Sequence, residues 1–129
     1  MAAMSITQPI YKATPVLGIP HKWRLVDSEI RRRFLSEADA RKQGLKFRMK
    51  TQRASDWYTS RQAAEPVYGF KVLVEEGTDL VIGAHLVGPH ADEVINLFAL
   101  AIRHGLTAAA LKQTMFAYPS GASDIGYML

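Results

Sequence analysis

The 129-residue sequence contains no cysteine. That absence removes a disulfide framework, a thiolate zinc site, a cysteine nucleophile and a dithiol redox pair. The apolar runs fall far short of the roughly 20 residues that a helix needs to cross a bilayer, so no membrane span is expected. A Gly-x-Gly-x-x-Gly fingerprint is also missing, and with it the glycine turn and helix start that cradle the pyrophosphate of FAD or NAD(P). No Gly-x-Ser-x-Gly elbow presents Ser120 or Ser123 as a nucleophile, and both are expected to be turn residues. Residues 1–10 have neither a charged start nor a continuous apolar stretch, which argues against a secretory signal and makes a cytoplasmic address the default.

What remains is ordinary for a globular protein: 48% hydrophobic and 22% charged residues. A single domain of this size buries about two thirds of its unfolded surface, so a real core is expected. The net charge of +4 hides an asymmetry. Residues 21–53 carry eleven Lys or Arg against four acids, whereas 54–129 carry four against eight. The basic block at 22–53, with Arg31, Arg32 and Arg33 in succession, admits a nucleic-acid reading. The competing reading is a solvated helix face, because Ile30, Phe34 and Leu35 are spaced to bury one stripe among the arginines. No aromatic RNA-binding motif, Gly-rich clamp or paired metal ligands accompany the charge, so nucleic acid is the weaker alternative.

Along the chain, Pro9, Pro15, Gly18 and Pro20 disfavour a helix in 1–20, which reads as an extended leader or edge segment. A helical pattern covers 27–43, with a break at Leu35 and Ser36, where Ser36 and Asp39 have N-cap spacing, and Gly44 stops it. Residues 45–55 alternate Phe47, Met49 and Thr51 against Lys46, Arg48 and Lys50, predicting a strand with one wet face. Residues 56–66 are polar and irregular. A hairpin is expected from 67–75 and 80–87 across the turn at 76–79. Pro89 stands near a helix start, Asp92 and Glu93 suit its first turn, and the helix is expected over 91–104, ended by Gly105. Thr107 caps a second helix from 108 to about 116. Tyr118-Pro119-Ser120-Gly121 then leads into a tail of turns.

The helix at 91–104 is apolar nearly all round, with Val94, Ile95, Leu97, Phe98, Ala99, Leu100, Ala101 and Ile102. A small two-layer domain covers one side of it, so the other side needs a cover: the C-terminal tail in part, and a second subunit as the more economical choice.

The run Val81-Ile82-Gly83-Ala84-His85-Leu86-Val87-Gly88-Pro89-His90-Ala91-Asp92-Glu93-Val94-Ile95, followed by Ala99-Leu100-Ala101 and Gly105-Leu106-Thr107, resembles the C-terminal dimerisation domain of the pyridine nucleotide-disulfide oxidoreductases. That family includes glutathione reductase, dihydrolipoamide dehydrogenase and mercuric reductase. Leu35-Ser36-Glu37-Ala38-Asp39-Ala40-Arg41 and Tyr68-Gly69-Phe70-Lys71 extend the similarity over 35–129. Before Leu35 the family's Val- and Phe-rich strand and Thr-x-Pro turn are not matched, so 1–34 is set apart as a divergent leader and basic helical segment.

The resemblance implies an α+β fold, a small antiparallel sheet packed against helices. It also implies a homodimer whose C-terminal end enters the partner's active site, where a histidine beside the flavin acts as acid and base and a glutamate five residues on orients it. Here Tyr118 and Ser123 occupy those positions. A phenol of pKa about 10 is a poor proton shuttle near neutrality beside an imidazole of about 6.5, so no catalytic residue is assigned. Tyr118 reads either as an aromatic ring packed against the tail or, with Pro119, as a candidate contact to a partner flavin. Asp124 is the one nearby carboxylate, but no imidazole is present for it to orient. The Tyr-Pro-Ser run and Ser123-Asp124-Ile125 resemble a glutathione-reductase-like subgroup. The candidate dimer interface is Glu93, Asn96, Leu97, Leu100, Ala101 and His104. FAD and NAD(P), and the domains that bind them, are implied for a full-length relative serving cellular redox homeostasis, with no cofactor expected on the isolated chain.

His85, His90 and His104 invite a metal reading. Their spacing includes no i, i+4 pair and no carboxylate cluster, so no metal is expected. The leading functional reading is an interface module without nucleotide-binding domains, not catalytic alone.

Overall fold

The computed structural model describes residues 35–129 in full and, before them, the backbone of Lys12–Pro15 and Lys22–Val26. These two stretches are strands β1 and β2 of a five-stranded antiparallel sheet. Its other members are β3 (Phe47–Arg53), β4 (Gly69–Glu75) and β5 (Val81–Val87), in the order β1-β2-β5-β4-β3. The sheet therefore extends beyond the portion matched by sequence resemblance: β2 sets Lys22 and Trp23 opposite Val87 and Leu86 of β5. The helical pattern expected at 27–34 lies outside the described residues. Of that stretch's continuation, α1 (Glu37–Lys42) is helical, behind Leu35 and the cap residue Ser36.

The cap is reciprocal. Asp39 N donates to Ser36 Oγ at 3.1 Å, and the Ser36 backbone N–H donates to Asp39 Oδ2 at 3.4 Å, so two of the orphan donors of the first turn are satisfied. Ser36 Oγ also donates to Asp39 Oδ2 at 2.6 Å.

The β4–β5 hairpin is the centre of the molecule, with the Glu76 to Asp79 turn at its tip. Its register slips by one residue after Leu73, which opposes Gly83, so that Val74 opposes Val81 and Ile82 is the extra residue. Such a bulge interrupts the strict alternation of side chains, so the residues before it face the other way from those after it. Val81, Ala84 and Leu86 accordingly join Phe70, Val72 and Val74 in the main core, while Ile82 joins Leu73, Leu35 and Ala40 in a smaller one. Leu35 crosses the second face directly over Gly83: its N–H donates to Ile82 O at 2.6 Å. A Cβ on residue 83 would stand 2.1 Å from Leu35 O, so no side chain fits there.

The main core is covered by α3 (Ala91–His104), α4 (Ala108–Gln113) and the C-terminal α5 (Ile125–Met128), which follows a 3₁₀ turn at Ala122–Asp124. Phe98, Ile95, Ile125 and Met128 are its largest fully enclosed side chains. Gly105 ends α3 in the left-handed conformation and Thr107 caps α4 by accepting from Ala110 N at 3.1 Å.

Several expectations differ from the structure. The strand at 47–53 has no sheltered face beyond Phe47: every later position is exposed, because β3 is an edge strand and α1 reaches only its beginning. The irregular stretch 56–66 contains helix α2 (Tyr58–Ala63), whose Thr59 and Ser60 are buried despite their polarity. Helix α4 stops at Gln113 rather than near Phe116, and the tail is partly helical. The basic block is also dispersed: β2 and β3, which hold its two ends, are separated by β4 and β5.

Candidate functional site

Helix α3 buries Ala91, Val94, Ile95, Phe98, Ala99, Ala101 and Ile102 against the sheet and tail. The opposite side is a stripe of Glu93, Asn96, Leu97, Leu100 and His104, which recur at i, i+3, i+4, i+7 and i+11 and so share one face. Leu97 is half-buried, and Leu100 leaves 52% of its surface in solvent. Ala101, expected in the same interface, is turned into the core at 0% exposure, one position round the helix from Leu100. Its methyl group packs within the subunit and leaves the outer stripe to the other five residues.

The C-terminal run reaches α3 at its start. A Cβ on residue 121 would stand 2.8 Å from His90 Cβ and 3.0 Å from a Val94 methyl, so the absence of a side chain at Gly121 lets the tail close on the helix. Before this contact the chain is displayed outward. Tyr118 is 77% exposed, Pro119 is exposed, and the peptide between them is cis. The Tyr118 ring lies 6.4 Å from that of Tyr58, tilted by 30°. Ser123 is committed to its own turn: Ser123 Oγ donates to Ser120 O at 2.6 Å and accepts from Ser120 N at 3.3 Å.

Asp124 points away from Tyr118. Its Oδ2 accepts from Tyr68 Oη and Thr59 Oγ1, both at 2.7 Å, in a buried cluster joining the tail to α2 and to the residue that leads into β4. Burial, then the hydrogen bond to Asp124, push the Tyr68 phenol well above its ordinary range. This cluster escaped sequence reasoning, since its members lie 56 and 65 residues apart and no local motif links them. Trp57 closes the same region, its ring 5.8 Å from Tyr68, 5.5 Å from Phe70 and 5.9 Å from Tyr127.

His85 is half-buried on β5 opposite Lys71, His90 is the exposed residue preceding α3, and His104 is exposed in its last turn. Among the described residues no three His, Asp or Glu side chains gather at a point able to hold a metal ion. No helix among them is long and apolar enough to cross a membrane.

Tyr118 and Pro119 are free to touch a flat ring held by another polypeptide, which suits a flavin contact. They offer nothing to hold its phosphates, and the sequence supplies no glycine cradle.

The pyridine nucleotide-disulphide oxidoreductase dimerisation domain matches residues 34–128. A Staphylococcus aureus relative, described as an uncharacterised 19.7 kDa protein in a mercuric resistance operon, is 46% identical over 95 residues, 74% of this chain and 53% of that protein. Mitochondrial dihydrolipoyl dehydrogenase from Sus scrofa is 40% identical over 50 residues, 39% of this chain and 10% of the enzyme. This chain therefore spans about half the length of the first and a small part of the second.

Among solved structures, the HOCl-induced flavoprotein disulfide reductase RclA from Escherichia coli superposes with a TM-score of 0.70 at 22% identity, over 74% of this chain and 22% of that one. A NAD-dependent persulfide reductase from A. fulgidus superposes with a TM-score of 0.58 at 20% identity, over 92% and 21%. At such identities the likeness is one of fold. With the dimerisation-domain match covering most of its length, the chain belongs to the pyridine nucleotide-disulphide oxidoreductase dimerisation-domain family.

Proposed function

We propose that this domain assembles as a two-fold homodimer through the outer stripe of α3 and presents its Tyr118–Pro119 turn to a flavin held by a partner polypeptide, without acid-base chemistry of its own. The observation that carries the reading is Leu100, a large apolar side chain left 52% exposed on a helix whose remaining apolar positions are mostly enclosed. Covering the half that remains exposed is worth about 1 kcal/mol, roughly half of a full leucine burial. A two-fold contact buries the same patch on both copies and closes without a free end. Sedimentation equilibrium of the wild-type chain and of Leu100→Glu tests it: dimer for the first and monomer for the second are expected, and a monomeric wild type at high micromolar concentration overturns it.

The tail's part in the proposal rests on Tyr118, whose hydroxyl makes no hydrogen bond among the described residues and whose ring is outward. Flavin binding and hydride exchange with NAD(P) belong, in this reading, to FAD- and NAD(P)-binding domains of a parent enzyme of the glutathione-reductase-like kind, acting in redox homeostasis in the cytoplasm. This chain's residues supply the dimer contact and one wall of the flavin site.

A further inference from the structure

The two edges of the sheet are built differently. The β1 edge is four residues long and ends in Pro15, two devices that blunt pairing with another strand. The β3 edge is seven residues long, has no proline, and runs in unbroken register with β4 from Phe47 opposite Glu75 to Arg53 opposite Gly69. Ala54 N donates to Tyr68 O and Glu76 N to Lys46 O, so the even-numbered residues of this strand make the narrow pairs with β4. The backbone N–H and C=O groups of Phe47, Met49, Thr51 and Arg53 consequently point away from the sheet, and no described residue meets them.

The charge along this edge is of one sign. Lys46, Arg48, Lys50 and Arg53 fall within eight residues that hold no acid, and all four are exposed. Arg48 is engaged by Asp79 at 2.6 Å, and Lys50 Nζ lies 3.5 Å from Leu129 O. Lys46 and Arg53 have no acidic partner among the described residues. Two copies of the chain meeting edge to edge would oppose these cations to one another, which disfavours self-pairing. Thr51 and Arg53 also border a groove of about 920 Å³ that runs inward across the sheet face, over Gly69, Lys71, His85 and Val87, to Ser36, Glu37 and Arg41 of the α1 region; it adds nothing to the outer side of the edge.

We infer that the β3 edge is a docking site for an extended, acidic segment of another protein, which adds as a sixth strand: backbone pairing to the four outward residues supplies affinity and the cations select the charge. This surface is separate from α3, so its test is independent of the dimer.

The probe is a fluorescein-labelled peptide of alternating Glu and Val, compared with the same peptide carrying Pro at alternate positions. Anisotropy titration of the full chain is expected to show binding that weakens with salt and that drops about tenfold or more, the equivalent of about 1.4 kcal/mol, for the Pro peptide. Thr51→Pro removes an outward N–H while sparing the pairs to β4, a substitution that edge strands accept, and is expected to weaken the Glu-Val peptide similarly with the circular dichroism unchanged. The double variant Lys46→Ser/Arg53→Ser, which leaves the backbone intact, is expected to flatten the salt dependence.

Equal binding of the two peptides would reduce the effect to charge alone and overturn the inference. So would tighter binding of a single-stranded oligonucleotide than of the Glu-Val peptide, or self-association of the wild type abolished by Thr51→Pro.

Discussion

Tyr68 Oη donates to Asp124 Oδ2 at 2.7 Å across 56 residues of chain, fastening the C-terminal turn to the central hairpin. Thr59 donates to the same oxygen, so one buried carboxylate serves three elements. Tyr68→Phe removes one donor and leaves the carboxylate dependent on the other. A hydrogen bond to a charged group contributes about 1.5 to 3 kcal/mol, and a loss of that size is expected in urea denaturation. Thr59→Val should cost a similar amount, with the two losses not additive because both act on one oxygen.

The same pair sets an alkaline limit. The folded-state pKa of Tyr68 is raised above its unfolded value near 10 by burial and by Asp124. The stabilisation from keeping the phenol neutral is fully present below that unfolded value. It is lost progressively as pH climbs above about 10 toward the higher folded value. Stability measured from pH 8 to 11 should fall in the wild type, and the fall should be shallower in Tyr68→Phe.

At the acid end two carboxylates are held below the usual range: Glu37 by Lys71 and Arg41, and Asp79 by the Arg48 guanidinium and next the Ala109 N–H at the start of α4. A lowered folded pKa gives stability present above the unfolded value and lost as pH falls through the folded one. Asp79→Asn is therefore expected to flatten part of the acid limb below pH about 4, Glu37 keeping the rest, and to loosen α4, which hydrogen exchange at Ala109 and Ala110 would report.

Much of this architecture can be read from the chain because its signals are local. The bounds of α3 follow from Pro89, the first-turn acids and Gly105; the α1 cap follows from Ser36 and Asp39; the hairpin follows from two β-branched runs around a turn. The signals fail where tertiary contact decides. Met49 and Thr51 alternate with cations as a half-buried strand would, yet no described element covers them, since alternation states which residues share a face and not whether anything packs on it. Helix α2 is obscured by polar residues because Thr59 is satisfied by Asp124, far away in sequence. Leu100 and Ala101 are adjacent in an apolar run, and only the direction in which α3 rolls onto the sheet separates the exposed one from the buried one.

Gly83 has no permitted replacement. Alanine there would place its Cβ 2.1 Å from the Leu35 carbonyl oxygen, on a residue whose own N–H is tied to Ile82 O. Overpacking of this kind costs about 1 to 3 kcal/mol or more. Gly83→Ala should lower the denaturation midpoint and shift the amide signals of Leu35 and Ile82, which share the contact. An unchanged midpoint would mean that the Leu35 crossing is not held as the structure has it.

Tyr118 carries the chemical consequence of the proposed tail. Substituted for the C-terminal run of a full-length flavoprotein disulfide reductase that relies on a histidine, residues 118–129 are expected to leave flavin content and dimerisation intact, because Tyr118 and Pro119 project and the turn behind them is closed by its own Ser120–Ser123 bonds. The disulfide half-reaction should slow by about 100-fold to 10,000-fold, the usual worth of general acid-base help. Asp124 offers no rescue, being turned inward to Tyr68 and Thr59. Tyr118→His in the graft restores an imidazole without its orienting carboxylate, since Ser123 stands in that place, so partial recovery near neutral pH is the expected result. Stopped-flow reoxidation of the flavin across pH 6 to 9 measures it, and full turnover with Tyr118 in place would show that the phenol is competent after all.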